Sequence, residues 1–110
     1  MVKADRGRRR YVAVETLDGL PASQEDYVQS IMLEAGRRGL RTTKLIQSTG
    51  PRGIVRCNEP ELERLIDLVN GTSARPAVRP FHTLRTSGTL RTLRERYFPE
   101  LEGARSDKRR

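Results

Sequence analysis

The sequence predicts an α+β fold, namely a split βαβ sandwich of ferredoxin-like type in which a four-stranded sheet carries an additional C-terminal helix. The first observation is the order of hydrophobic patterns, which reads strand, helix, strand, strand, helix, strand, helix. Two strand–helix–strand units with right-handed crossovers place the first and third strands at the centre of the sheet. The second observation agrees with this, because the two proposed edge strands carry Arg41, Lys44 and Pro80.

Four apolar stretches, separated by turn residues, predict the strands. The first and third of these stretches are the most apolar, as expected for central strands. The fourth is interrupted by Pro80, and because proline cannot donate to a sheet ladder, this strand is expected at an edge. The predicted strands cover residues 10–17, 40–47, 54–57 and 77–86.

The first two helices are predicted from capping residues that precede an apolar stripe. Ser23 with Asp26, and Asn58 with Glu61, have the spacing of capping pairs. Apolar residues then recur at helical spacing after each pair. The first helix is expected to end near residues 36–39, where two glycines occur.

The third helix directly follows the last strand. Ser87 is its expected N-cap and Pro99 its expected stop. Leu90, Leu93 and Tyr97 fall on one stripe, which predicts that the helix docks on the domain. We expect this helix, or a partner protein, to cover the sheet face that the first two helices leave open.

The 110 residues suffice for one domain with one modest core. We divide the chain into a basic N-terminal arm at residues 1–9, a single domain at residues 10–98 and a charged C-terminal tail at residues 99–110. No apolar stretch is long enough for a membrane span, and the first ten residues lack the apolar run of a secretory signal. The single Cys57 fits a reducing compartment, so a cytoplasmic protein is expected.

The positive charge is concentrated near the two ends of the chain. Of the net charge of +8, residues 1–10 carry +4 and residues 75–97 carry +5, whereas residues 11–74 carry −2. Nineteen of the 22 basic residues are arginines, whose planar set of donors matches phosphate. Such a surface attracts a polyanion, and nucleic acid is the commonest one. A generally arginine-rich composition is the alternative, but it does not explain the clustering.

The residues give no indication of a catalytic site. His82 and Cys57 are each the only residue of their kind, so no soft metal site with several ligands can be built from them. Cys57 ends an apolar strand and is expected in the core, while His82 is expected at the surface or against a partner. No carboxylate pair or phosphate-binding glycine motif stands out. We therefore expect a chain that does not catalyse a reaction by itself.

The predicted sheet is also that of the RNA-recognition module, which stacks bases on aromatic side chains of its central strands. Here the third strand begins with the basic residue Arg52 and with Gly53, as in that module, but it carries no aromatic residue. Only Tyr11 could stack a base, and a tyrosine at the start of a strand more often belongs to the core or its rim. Recognition is therefore expected through phosphates and RNA shape.

Three blocks of sequence carry a resemblance to a known family. They occur in the order Arg9-Arg10-Tyr11-Val12-Ala13, Gly53-Ile54-Val55-Arg56-Cys57 and Thr86-Ser87-Gly88-Thr89-Leu90. Together, with their spacing over residues 9–98, they resemble archaeal ribonuclease P protein component 2, which is related to a small subunit of eukaryotic ribonuclease P and MRP particles. The resemblance also implies the split βαβ fold.

The resemblance implies a non-catalytic protein subunit of the endoribonuclease that removes the 5′ leader from precursor tRNA, with the RNA component as the catalyst. The implied partners are ribonuclease P RNA, a barrel-shaped protein subunit of the component 3 type and, indirectly, precursor tRNA. The Mg²⁺ ions belong to the RNA, so no metal or cofactor is expected in this chain. We expect the chain to self-associate when the barrel-shaped partner is missing.

Two other functions remain as alternatives. One is a stand-alone RNA-binding module, associated with ribosomes or tRNA, without a role in ribonuclease P. The other is a small anion hydrolase on the same fold, which would need an anion-binding loop before the first helix. Residues 18–22 do not provide such a loop.

The start of the third helix is the predicted phosphate site. Gly88 lacks a side chain, which would let a phosphate approach the N–H groups of the first turn, where the helix dipole favours an anion. An ordinary capped surface helix is the alternative, and the N-terminal arm would then carry the RNA contacts. The predicted RNA-binding residues are Arg8, Arg9, Arg10, Arg85, Ser87, Gly88, Thr89, Arg91 and Arg94.

Overall fold

The computed structural model describes residues 8–99, and its elements follow the predicted order. The strands are β1 (Arg9–Thr16), β2 (Lys44–Thr49), β3 (Arg52–Asn58) and β4 (Phe81–Ser87). The helices are α1 (Gln24–Tyr27, the π-helical stretch Val28–Met32, and Leu33–Arg37), α2 (Leu62–Asn70) and α3 (Leu90–Tyr97). The 3₁₀ turns Glu59–Glu61 and Gly71–Ala74 flank α2.

The four strands form one antiparallel sheet in the order β2-β3-β1-β4. The first and third strands are therefore central, and the second and fourth are the edges, as the residue pattern predicts. The α+β, ferredoxin-like arrangement is confirmed. Within residues 8–99, no helix is long and apolar enough to cross a membrane.

The main core lies between the sheet and the pair α1 and α2. Val12, Val14 and Val55 face this side from the central strands and are fully buried. The helices contribute further buried side chains, which are Tyr27, Ile31, Ala35, Leu65, Leu68 and Val69. This is the face that the two strand–helix–strand units were expected to cover.

Helix α3 covers the opposite face of the sheet. Leu93 is fully buried there against Ala13 and Ile54, and Phe98 completes this second cluster. Leu90 and Tyr97 pack at its margin, so the predicted stripe does dock the helix. The face that α1 and α2 leave open is thus covered, at least in part, by the chain itself.

All four strands differ in their bounds from the predicted ones, and the starts of the second and fourth strands differ most, by four residues each. The fourth strand begins at Phe81, because the N–H of Phe81 donates to the side chain of Thr72 at 2.7 Å before the ladder starts. Pro80 therefore precedes the strand and does not interrupt it. The second strand begins only at Lys44.

The first predicted capping pair is confirmed and the second is wrong. Ser23 and Asp26 exchange the two hydrogen bonds of a capping box. Asn58, in contrast, caps nothing with its side chain. The carboxylate of Glu61 instead accepts the N–H groups of Arg41 and Thr42, both at 3.1 Å, and thereby holds the chain that leads into β2. Glu61 thus makes a tertiary contact with the segment before β2 instead of the local capping contact with Asn58.

Strand β1 begins at Arg9, one residue before its predicted start, and Arg9 pairs with Asn58 of β3. Residues 1–7 of the predicted arm and residues 100–110 of the predicted tail lie outside the described residues.

Candidate nucleic-acid interface

Thr89, and not Ser87, is the N-cap of α3. Ser87 is still part of β4, where it lies opposite Tyr11, so the helix can begin only after it. The Thr89 hydroxyl accepts the N–H of Thr92 at 3.4 Å, and the Ser87 hydroxyl accepts the N–H of Thr89 at 3.1 Å. Two N–H groups at the start of the helix therefore already have acceptors, which leaves fewer for a phosphate than the sequence suggests.

Arg10 lies beside the start of α3. Its strand pairs with β4, whose last residue is Ser87, and a Cβ placed on Gly88 would lie 3.2 Å from Nη1 of Arg10. The Arg10 guanidinium also makes a 3.5 Å ion pair with Glu59. Its Nε is buried and has no hydrogen-bond acceptor among the described residues. The predicted arm and the predicted helix site thus meet in one region of the surface.

The three arginines expected to grip one phosphate lie apart. Arg85 is exposed on the edge strand β4. Arg94 donates through Nε to the side chain of Gln47, at 2.9 Å, on the other edge strand β2. Arg91 makes a 2.8 Å ion pair with Glu95 along the exposed side of α3. Because β2 and β4 are separated by two strands, roughly 14 Å, Arg85 and Arg94 are directed to different parts of the sheet.

The remaining predicted residues, Arg8 and Arg9, are exposed at the start of β1. The carbonyl group of Arg8 accepts the N–H of Glu59 at 2.7 Å, which extends the contact between β1 and the end of β3. Neither side chain pairs with a carboxylate in the described part of the chain. Both are therefore available to an anion at this end of the sheet.

Many arginines of the domain are occupied by carboxylates. Arg79 contacts Asp18 at 3.0 Å and Asp26 at 3.2 Å, and Arg75 contacts Glu34. Hydrogen bonds hold the pKa of Glu34 below its usual value through Arg38, and that of Asp18 through Leu20 and Arg79. The described basic residues with a carboxylate partner are Arg10, Arg37, Arg38, Arg52, Arg75, Arg79 and Arg91. Part of the charge counted in residues 75–97 is thus neutralised inside the domain.

Five of the nine described basic residues without a carboxylate ion pair lie on the side of the sheet that carries α3. Strand pairing places their positions on the face of the buried residues Ala13 and Ile54. Arg94 extends over the same face from the helix. We call this group the α3-face cations; its members are Arg9, Lys44, Arg56, Arg85 and Arg94.

Two of the α3-face cations were missed by the sequence analysis. The sequence pattern marks Lys44 only as an edge-strand residue and Arg56 only as part of one of the three blocks. The alternation of side chains along β3 could have indicated the position of Arg56, because Arg52, Ile54 and Arg56 must share one face of the sheet. What could not be inferred was that Lys44 would lie directly opposite Arg56, because that depends on the hairpin register.

The opposite end of the same face has balanced charge. Glu15 contacts Arg52 at 3.2 Å and His82 at 3.3 Å. A cleft of about 460 Å³ opens there, lined by Glu15, Arg52, Tyr97 and the β2–β3 loop. The guanidinium of Arg52 also lies 5.4 Å from the centre of the Tyr97 ring. The end where β1 begins, in contrast, has Arg9, Lys44 and Arg56 without a carboxylate ion pair among the described residues.

Cys57 is a core residue, as predicted. Its side chain is fully buried, and burial raises the pKa of the thiol to about 11. A neutral thiol is a poor nucleophile. Among residues 8–99, no group of three or more His, Cys, Asp or Glu side chains could hold a metal ion.

The searches of protein-family models and of curated proteins give no match to this chain. The functional interpretation therefore depends on the geometry above and on the resemblance of the three sequence blocks.

Proposed function

We propose that the chain is an RNA-binding protein subunit of ribonuclease P, which supports the catalytic RNA in removing the 5′ leader of precursor tRNA. The observation that carries the RNA-binding part is the group of α3-face cations. Five basic side chains share one side of the sheet without a carboxylate partner among the described residues. Elsewhere in the domain, arginines such as Arg79 and Arg38 are held by carboxylates. Such uncompensated charge is favourable when a polyanion binds.

The assignment to ribonuclease P has its support in the three sequence blocks. The first block lies on β1 and the second on β3, and these strands pair, with Tyr11 opposite Arg56. The third block begins at the end of β4, where Ser87 lies opposite Tyr11 on its other side. The blocks therefore form one continuous region around Tyr11, which includes most of the predicted RNA-binding residues. This contiguity is what a shared binding surface requires.

The proposed role is electrostatic. A folded catalytic RNA packs phosphates closely, and cationic side chains lower the free-energy cost of that packing. The protein would favour the active RNA conformation and reduce the Mg²⁺ concentration that the RNA needs. The RNA would carry out the hydrolysis, and the barrel-shaped subunit would be the protein partner in the particle.

Reconstitution tests this proposal. Cleavage of precursor tRNA is measured against Mg²⁺ concentration with ribonuclease P RNA and the barrel-shaped subunit, with and without this chain. We expect the chain to lower the Mg²⁺ concentration needed for half-maximal cleavage. The double variant Arg56→Gln/Arg85→Gln should lose this effect. The matched control Arg37→Gln/Arg38→Gln removes two arginines that are paired with Glu34, on the other side of the domain, and should keep it.

The outcomes also separate the alternatives. An unchanged Mg²⁺ requirement, together with RNA binding that depends on Arg56 and Arg85, would indicate a stand-alone RNA-binding module. An absence of RNA binding would overturn the proposal as a whole.

A further inference from the structure

One row of residues crosses all four strands at the end of the sheet where β1 begins. Lys44 of β2 lies opposite Arg56 of β3, Arg56 lies opposite Tyr11 of β1, and Tyr11 lies opposite Ser87 of β4. Directly opposed residues share a face, so the side chains of this row all belong to the α3 side. With strands about 4.8 Å apart, the row is roughly 14 Å long.

The row contains an unfavourable pair. Lys44 and Arg56 carry the same charge at directly opposed positions, an arrangement that destabilises an antiparallel sheet. In the described part of the chain, neither side chain contacts a carboxylate that would offset the repulsion. Arg56 is only half-exposed, so water screens its charge less than it screens that of a fully exposed residue. An anion placed between the two side chains would remove the repulsion.

Tyr11 is the neighbour of Arg56 in the row. Tyr11 is half-buried and packs against the cluster of Ala13, Ile54 and Leu93, which restricts its movement. Its hydroxyl group has no hydrogen-bond partner among the described residues. A ring that is fixed on a sheet beside a cation is the element on which single-stranded nucleic acids stack a base.

We propose that this row binds a single-stranded segment of RNA, with a phosphate between Lys44 and Arg56 and the adjacent base stacked on Tyr11. The inference rests on the proposed RNA-binding function and specifies the kind of RNA. Bases within a duplex are stacked on one another and are not available to the ring, so a duplex would use the cations alone. Arg10, whose Nη1 would lie 3.2 Å from a Cβ on Gly88, is near the Ser87 end of the row, but its strand position faces the other side of the sheet.

The test compares a single-stranded RNA oligonucleotide with a duplex of equal length, using the full chain and fluorescence anisotropy at several salt concentrations. Tyr11→Leu keeps an apolar side chain on the cluster but removes the aromatic face. We expect Tyr11→Leu to weaken single-strand binding about fivefold or more, with an unchanged salt slope. Tyr11→Phe should bind as the wild-type chain does. Lys44→Gln and Arg56→Gln should each flatten the slope by about 0.7.

The failure of this inference is distinguishable from that of the proposed function. If the wild-type chain binds no RNA, the proposed function fails and the inference fails with it. If the chain binds RNA but Tyr11→Leu changes nothing, or if the duplex binds more tightly than the single strand, only the inference is overturned.

A second measurement covers the case in which Tyr11→Leu does not fold. Ultraviolet cross-linking of the wild-type chain to the single-stranded oligonucleotide, followed by mass spectrometry of the peptides, should place a cross-linked nucleotide on Tyr11. Cross-links found only on other residues would overturn the proposal.

Discussion

The ring of Tyr27 lies directly against Gly53: a Cβ added to Gly53 would be 2.7 Å from Cε1 of the tyrosine and 2.7 Å from its hydroxyl oxygen. Both residues are buried, Tyr27 on α1 and Gly53 on the central strand β3. The structure therefore explains why position 53, in the second of the three sequence blocks, is a glycine. The sheet and α1 can approach each other this closely only if the position has no side chain.

Gly53→Ala should destabilise the domain by about 1–3 kcal/mol, because the added methyl group must displace a large buried ring. Tyr27→Leu should relieve the clash in part, so the double variant should lose less stability than the sum of the two single variants. Urea unfolding of the four proteins measures this coupling. Strictly additive losses would show that the contact does not determine the spacing of α1 and the sheet. Gly36→Ala, where a Cβ would meet no atom within 4 Å, is the matched control.

Leu93→Ala should cost about 2–5 kcal/mol of unfolding free energy, because the side chain is fully buried between α3 and the sheet. Arg96→Ala, on the exposed side of the same helix, should change stability by no more than about 0.5 kcal/mol. Chemical denaturation of both variants checks the difference. Similar stabilities for the two would mean that α3 is not docked as described.

The free energy of unfolding should decrease at acidic pH because Glu61 becomes protonated. Burial raises the pKa of this carboxyl group, but the hydrogen bonds from Thr42 and Arg41 outweigh it, and the net pKa lies below its ordinary value of 4.5. The folded state therefore binds the proton less readily than the unfolded state does. The stabilisation is present above about pH 4.5 and is lost as the pH falls through the lower folded-state pKa.

Glu61→Gln should therefore lower the unfolding free energy at pH 7 and reduce its dependence on pH below about 4.5. Glu63→Gln changes an exposed carboxylate in the first turn of α2, two residues after Glu61, and should leave the profile unaltered. Thermal unfolding between pH 3 and pH 7 measures both. A profile of Glu61→Gln that matched the wild-type one would show that this carboxylate does not hold the entry to β2.

The arginines of α3 are tested by the salt dependence of RNA binding. Arg94→Ala should weaken binding and flatten the logarithmic salt slope by roughly 0.7–0.9 if it contacts one phosphate. Arg91→Ala is predicted to have the same effect. In the wild-type chain, the ion pair between Arg91 and Glu95 would have to break for Arg91 to contact a phosphate. Arg37→Ala serves as the control. Unchanged slopes for both variants would place the RNA contacts in Arg8, Arg9 and the row at Tyr11.

Much of the fold could be predicted because it follows from short-range patterns. The stripe of Leu90, Leu93 and Tyr97 has helical spacing, and the apolar runs of the central strands are short and bounded by turn residues, which favours strands. Ser23 with Asp26 is a local motif and forms as predicted. The same reasoning fails for Asn58 and Ser87: Asn58 precedes the 3₁₀ turn without a side-chain cap bond, and Thr89 takes the N-cap position expected of Ser87.

The sequence by itself determined the order of the elements, the central and edge strands, and the surplus of positive charge. These depend on composition and on neighbours along the chain. Only the tertiary structure decided which arginines are neutralised, because Arg79 finds Asp18 and Asp26 across more than fifty residues. It also decided that Lys44, Arg56 and Tyr11 form one row, because strand register arises when the buried faces of distant segments pack together.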